Sequence, residues 1–295
     1  MTKINNKHQN KHHHPVLLES VIELLKPREG ESYLDMTAGY GGHAAEIIEL
    51  IGSTGTASLI DRDAFAVQEL EKKFTGSRNV EIIHSDYEKA ASDLVGRGKQ
   101  YDMVLADLGV SSPHLDMPER GFSFKSNGPL DMRMDQQQTT TAADLIKTLT
   151  EEELADVLKK YGEEPQNKRI ARELKLLDNL ETTDDLVKFL TEEFGEYKAR
   201  SVMPKVFQAL RIAVNDELGQ LERTLSLLPS LIKKDGRIAI ISFHSLEDRL
   251  VKRAFKSASL GLEPELTLLT KKPIKGKQFD SHPRARSAML RVAVK

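Results

Sequence analysis

Three aspartates stand where short apolar runs end, and each could do chemistry there. Asp35 opens the turn Asp35-Met-Thr-Ala-Gly39-Tyr-Gly41-Gly42-His43. Asp61 begins Asp61-Arg62-Asp63, and Asp107 begins Asp107-Leu-Gly-Val-Ser-Ser-Pro113. Glycines between a strand and a helix let backbone approach a ligand closely. Asp61 lies twenty positions after Gly41, a distance that suits a carboxylate accepting both ribose hydroxyls of a nucleotide. The Gly-x-Gly-Gly spacing leans the site toward S-adenosylmethionine rather than a nicotinamide dinucleotide. Asp107 then faces the same crevice and could hold an exocyclic amine. An amide-like amine is a poor nucleophile, and acceptors on its hydrogens take up the charge that develops on nitrogen. The activated methyl donor needs mainly positioning, so no metal is expected. Taken singly, a ligand-free turn and an Asp107 that caps a helix fit the same residues.

The elements that must position these aspartates alternate. Strands are expected over 32–36, 56–60, 80–83, 103–106, 237–242, 266–269 and 288–294, and helices over 15–25, 43–51, 64–74 and 245–256. This alternation predicts a parallel sheet built of βαβ units. The fold class is therefore α/β, a Rossmann-like seven-stranded methyltransferase sheet closing on a hairpin-like pair joined by a basic loop without helical pattern. That final pair also favours S-adenosylmethionine. Residues 113–138 read as loop, and 141–228 as helical, with helix starts at Thr150-Glu-Glu-Glu153 and Thr182-Thr-Asp-Asp185 and a stop at Gly162. The expected domains are a flexible polar tail over 1–14, a methyltransferase domain over 15–112 and 229–295, and a loop plus all-helical insertion over 113–228.

Composition narrows the chemistry. The chain has 295 residues, 39% hydrophobic and 30% charged, with no cysteine. Disulfides, thiolate zinc sites and the cysteine nucleophile needed for cytosine C5 methylation are excluded. No apolar run reaches the roughly 20 residues that span a bilayer, and a cytoplasmic location is expected. His12–His14 read as a polar tail. Net charge is −2, yet Lys271, Lys272, Lys275, Lys277, Arg284, Arg286, Arg291 and Lys295 oppose only Asp280 near the C-terminus. Such a stretch fits an anionic partner or a solvated terminus.

Longer blocks carry a resemblance. They include His14-Pro-Val-Leu-Leu18, the Asp35–His43 turn, Glu119-Arg-Gly-Phe-Ser-Phe124, Gly128-Pro-Leu-Asp-Met-Arg-Met-Asp135, Phe207-Gln-Ala-Leu-Arg-Ile212, Ile241-Ser-Phe-His-Ser-Leu-Glu-Asp-Arg249 and Pro283-Arg-Ala-Arg-Ser-Ala288. With these blocks in order, the chain closely resembles the bacterial 16S rRNA cytosine-N4 methyltransferases. The resemblance implies methylation of a cytidine in the decoding region, with 16S rRNA of the small subunit as partner. It implies cofactor contacts at Gly41, Gly42, His43, Asp61, Tyr87, Asp107 and His114, with Asp107 catalytic. His114 stands where the family has Gln, Tyr87 where it has Phe, and Lys205 where it has Arg. Candidate RNA contacts are Lys168, Arg169, Arg172, Lys205, Arg211, Arg249, Arg284 and Arg286. Glu163, Glu164, Glu247 and Asp248 could instead pair with such cations. Phe122 and Phe124 are expected to pack between the domains, near Met132 and Met134. Amino methylation of DNA or another RNA would use the same fold and amine chemistry, and only these blocks argue against it; against a non-catalytic assembly role with a retained pocket stands the presence of both Asp61 and Asp107. Monomer and homodimer both remain open.

Overall fold

The computed structural model describes residues 15–279 and 283–295, without the side chains of Ser112, Pro113, Phe279, Pro283 and Arg284. The tail over 1–14, with His12–His14, lies outside the described residues, as does Asp280.

Helix α1 (Leu18–Leu25) leads into β1 (Ser32–Asp35), the glycine turn and α2 (Gly42–Ile51). Next come β2 (Thr56–Asp61), α3 (Ala64–Lys73), β3 (Val80–His84), α4 (Tyr87–Gly96) and β4 (Tyr101–Asp107). Strands β1 to β4 run parallel in the order β3-β2-β1-β4. The chain winds outward from β1 on one side and from β4 on the other. The carboxyl ends of β1 and β4 therefore flank the switch point where open α/β sheets bind ligands.

These strands are apolar on both faces because both are covered. Leu34, Val104 and Ile238 join one core with Leu94, Leu225 and Phe255. Their neighbours Tyr33, Met103 and Ala239 join the opposite core with Val21, Ile47 and Leu70. Successive side chains thus go to opposite layers, as the strand period of two dictates. No expectation was placed on α4. Asp86 caps it by accepting the Lys89 amide at 2.8 Å, and its buried face is only Ala90, Ala91 and Leu94, a faint apolar pattern.

The stretch expected as pure loop holds a short helix, α5 (Ser112–Asp116), and a 3₁₀ turn over Pro118–Arg120. Helices α6 (Ala142–Thr148), α7 (Glu151–Gly162), α8 (Asn167–Lys175) and α9 (Thr183–Asn215) follow. Thr150 with Glu153 and Thr182 with Asp185 form reciprocal capping boxes. Gly162 is the last residue of α7, but its backbone is not left-handed. A Cβ there would sit 2.7 Å from the Lys205 carbonyl oxygen, so this glycine lets α7 lie against α9. Helix α9 breaks at Gly195, whose φ is 73°. Helices α6 to α9 share a third core with Phe122, Leu130, Met132 and Met134. Phe124 packs against its edge, with its ring 5.5 Å from that of Phe207.

Helix α10 (Glu217–Leu231) departs from this helical group. Leu221, Leu225, Leu228 and Leu231 enter the core on the sheet face shared with α4. Then β5 (Ile232–Ser242) pairs parallel to β4, and α11 (Ser245–Ala258) follows. The remaining strands are β6 (Thr267–Leu268), β7 (Ile274–Lys275) and β8 (Met289–Val294), with α12 (Gly276–Phe279) after β7. Strand β8 runs antiparallel between β5 and β6. The described residues thus form one eight-stranded sheet rather than seven, because β7 also pairs with β8. The basic segment before β8 likewise contains β7, α12 and a 3₁₀ turn over Pro283–Ser287, not a loop free of helix. Among the described residues, no helix is long and apolar enough to cross a membrane.

Candidate active site

The turn after β1 is held by backbone. The Met36 amide donates to Leu105 O and the Ala38 amide to Ile60 O, both at 2.9 Å. Asp61 is oriented by two more amides: Gly39 N–H donates to Oδ2 and Asp63 N–H to Oδ1, each at 2.8 Å. Its carboxyl thereby projects at the end of β2 in a fixed direction. Burial raises its pKa above the usual range, against the lowering pull of those amides. Gly41 and Gly42 differ in function. At Gly42 a Cβ would come within 2.8 Å of the Pro15 ring, and Gly42 lines the crevice. Gly41 has φ 67°, and its Cβ would press on Leu70 and Phe74 of α3 at 3.0 Å. Gly41 is not on the crevice wall. Its glycine is needed for a left-handed backbone and for the approach of α3.

At the end of β4, the Asp107 amide donates to Thr37 Oγ1 at 2.6 Å. Its Oδ2 lies 3.7 Å from His43 Nδ1. Its Oδ1 is buried and has no hydrogen-bond partner among the described residues. Burial, then the charges of Asp35 and Glu247, hold the Asp107 carboxyl well above the ordinary range. Asp35 is pushed up to about 7, chiefly by burial, against hydrogen bonds from the Tyr33 hydroxyl and the Thr37 amide. A carboxyl group is thus kept poised in a low-dielectric pocket.

Tyr87 opens α4, lines the crevice and donates its hydroxyl to Glu217 O at 3.2 Å. Burial raises its pKa. His114 lines the same wall but turns its ring toward Asp63. The Ser111 amide donates to His114 Nδ1 at 3.3 Å, so Nε2 carries the hydrogen and donates to Asp63 Oδ2 at 2.7 Å. Arg120 donates to the same oxygen at 2.9 Å and to the carbonyls of Arg133 and Met134. Burial pushes Asp63 up, but His114 and Arg120 outweigh it and hold the carboxyl down at about 2. Phe122 stacks on His114 at 4.9 Å between ring centres. The role of Asp63 was not legible in the sequence: Arg120 lies fifty-seven residues away.

Gly39, Gly42, His43, Asp61, Asp63, Tyr87, Asp107 and His114 wall a crevice of about 930 Å³. Val16, Tyr40, Arg62, Glu217, Phe243, Glu247 and Ser287 complete the wall, and nothing in the motifs singled them out as lining residues. A family model described as the MraW methylase family matches residues 10–295. "Ribosomal RNA small subunit methyltransferase H" of Synechocystis sp. is 42% identical, covering 96% of this chain and 93% of that protein. The proteins of the same name from Cyanothece sp. and Acidobacterium capsulatum are 45% and 41% identical. They cover 95% and 97% of this chain and 94% and 99% of their own lengths. The chain belongs to the MraW methylase family. It is a methyltransferase whose cofactor is S-adenosylmethionine.

The residues present fit that cofactor. The crevice is large enough for a nucleoside with an amino-acid arm. The cradle at Gly39 and Gly42 keeps backbone exposed at the switch point. Asp107 Oδ1 supplies an acceptor without a donor among the described residues.

The family's candidate basic residues fall into distinct settings. Lys168, Arg169 and Arg172 sit on α8, with Arg169 paired to Glu193 and stacked on Phe194, and Arg172 paired to Glu173. Lys205 lies 3.3 Å from the buried Glu164, and Arg249 lies 3.1 Å from Glu163. Arg211 is different: it makes a two-point bond to Glu217 at 2.8 and 2.9 Å and is only 17% exposed. It braces the junction of α9 and α10 from inside. Asp248 pairs with Arg291 and Glu247 with His244. Arg286 is exposed, and the Arg284 side chain lies outside the described residues.

Proposed function

We propose that this methyltransferase places one methyl group on the N4 amine of a cytidine in the 16S rRNA of the small ribosomal subunit, in the cytoplasm. The observation that carries the reading is the buried Asp107 Oδ1 at the end of β4, which has no hydrogen-bond partner among the described residues. The names of relatives at 41–45% identity over nearly the whole chain support the rRNA substrate.

In this reading Gly42, Asp61 and Tyr87 hold the nucleoside portion, and Asp61 accepts the ribose hydroxyls. His114, tied to Asp63, shapes the wall rather than gripping the cofactor. When bound, S-adenosylmethionine supplies a methyl group already activated by its sulfonium. Asp107 accepts a hydrogen of the amine, orients the nitrogen lone pair and draws off the developing charge. The base must leave its stack to reach Asp107. The helical body of α6 to α9 and the preceding loop form the RNA-recognition unit. Helix α10 belongs with the sheet.

The test is mass-spectrometric mapping of rRNA from cells lacking the protein. One N4-methylcytidine should vanish, return with the wild-type chain and stay absent with Asp107→Ala. A full complement of the modification in the deleted strain would sink the reading.

A further inference from the structure

Helix α9 is two helices joined at Gly195, and the join decides what its second half shows to solvent. In the first half Leu186 and Leu190 are buried. Tyr197 follows Leu190 by close to two helical turns, so an unbroken helix would bring it onto the same buried face. Instead Leu190 is fully enclosed and Tyr197 is 92% exposed. The break is the cause. Gly195 takes φ 73° and ψ 154°, outside the helical region. A Cβ there would meet nothing within 4 Å, so the glycine serves the backbone alone. Beyond it the buried stripe restarts at Ala199, Val202 and Val206.

The ring turned outward has polar neighbours rather than an apolar patch. Glu196, Lys198, Arg200 and Ser201 are all exposed. Glu193 is taken by Arg169, and neither Lys198 nor Arg200 pairs with a carboxylate among the described residues. Lys198 and Arg169 lie over the ring of Phe194, 5.3 and 5.2 Å from its centre. A protein interface surrounds its aromatic anchor with apolar surface. A lone ring between cations instead matches a flat base whose strand carries phosphates. From Tyr197 the helix runs on to Arg211, about 21 Å away at 1.5 Å per residue. Arg211 binds Glu217, which lines the crevice. The elbow therefore stands on the approach to the crevice and not in it.

We propose that Tyr197 is a stacking platform for an unpaired base of the substrate RNA, with Lys198 and Arg200 holding the phosphates beside it. The proposal rests on the rRNA-methylation reading above. The base is unpaired because a duplex covers its base faces with neighbouring bases. The ring offers its face while the hydroxyl stays in water. Tyr197 is a positioning residue: it fixes a flanking stretch of RNA and touches no reacting atom.

The test titrates the full chain with labelled RNA of about 16 nucleotides in three forms: single-stranded, duplex and abasic. Tyr197→Ser should weaken the single strand about tenfold and leave the duplex and the abasic strand unchanged, while Tyr197→Phe binds like the wild type. The chain has no tryptophan, so Tyr197→Trp gives a reporter at this one position. Its emission should be quenched by the single strand and not by the abasic strand. Lys198→Ala and Arg200→Ala should each lower the slope of log affinity against log salt by about 0.7. With small subunits as substrate, Tyr197→Ser should raise KM about tenfold at unchanged kcat. Because the ring is exposed, the variants should keep the wild-type melting temperature. Equal weakening of all three RNA forms, wild-type affinity in Tyr197→Ser, or tryptophan emission indifferent to RNA would overturn the proposal. So would weaker binding to small subunits but not to free RNA, which would place a ribosomal protein at the elbow. Quenching as expected, beside a deleted strain that keeps its full N4-methylcytidine, would refute the methylation reading and leave the platform standing.

Discussion

Asp35 shows how much a single residue's surroundings decide. It closes β1 in sequence terms like any strand-terminal aspartate, yet its carboxyl is fully enclosed and pushed up to about 7 from 3.8. The folded state therefore holds a proton that the unfolded chain releases. Stability contributed by that proton is complete below about pH 4 and is lost as pH rises toward 7. Asp35→Asn stays uncharged, so the melting temperature of the wild type should fall relative to the variant as pH rises from 4 to 7, with the gap constant above. A gap that does not change over that window would show that Asp35 is not the group being titrated. Gly41 and Gly42 make the same point for backbone. They are neighbours in one motif, yet Gly42 opens the crevice and Gly41 makes room for α3.

At the scale of elements, the segment from Gly109 to Met134 is the piece that joins crevice to helical body. Little regular structure holds it. Asp63 at the start of α3 does, through His114 and Arg120, and Arg120 in turn holds the carbonyls of Arg133 and Met134. Asn215 at the end of α9 completes the tie by donating to Met132 O and accepting the Met134 amide, both at 2.8 Å. Removing one partner of a buried ion pair leaves a charge uncompensated, at a cost of about 3–5 kcal/mol. Arg120→Met should therefore lower stability by about that amount. Amide hydrogen exchange should accelerate across residues 109–134 while β1 and β4 stay protected. Unchanged protection in that segment would mean that Arg120 does not hold it.

Over the whole molecule, two kinds of core serve two tasks. The sheet cores fix the carboxyl ends of β1, β2 and β4, and the core of α6 to α9 carries the exposed basic residues of α8. Most of those charges are paired with carboxylates, so net basicity is small, in keeping with a total charge of −2. If Lys168 and Arg172 meet phosphates, each contact contributes roughly 0.7–0.9 to the slope of log affinity against log salt. The double variant Lys168→Ala, Arg172→Ala should reduce that slope by about one to two and raise KM for the RNA, leaving kcat unchanged. An unchanged slope would remove α8 from the RNA surface.

Local signals were legible where a residue type serves its own neighbourhood. The capping boxes at Thr150 and Thr182 and the alternating strands act within a few residues or one βαβ unit, so the chain alone determined them. The resemblance blocks added the chemistry. Gly162 ends α7 as its position suggests, but its second task, letting α9 approach, is a contact forty-three residues away that the chain does not show. The pairing of Arg211 with Glu217 was not legible, because it depends on how α10 turns away from α9. Helix α4 and strand β7 were missed because one buries mainly alanines and the other is two residues long. What tertiary structure alone decided is which groups converge: Asp107 beside His43, Asp63 between His114 and Arg120, and α10 against the sheet. Convergence depends on which faces pack together, and packing joins residues that the chain holds far apart.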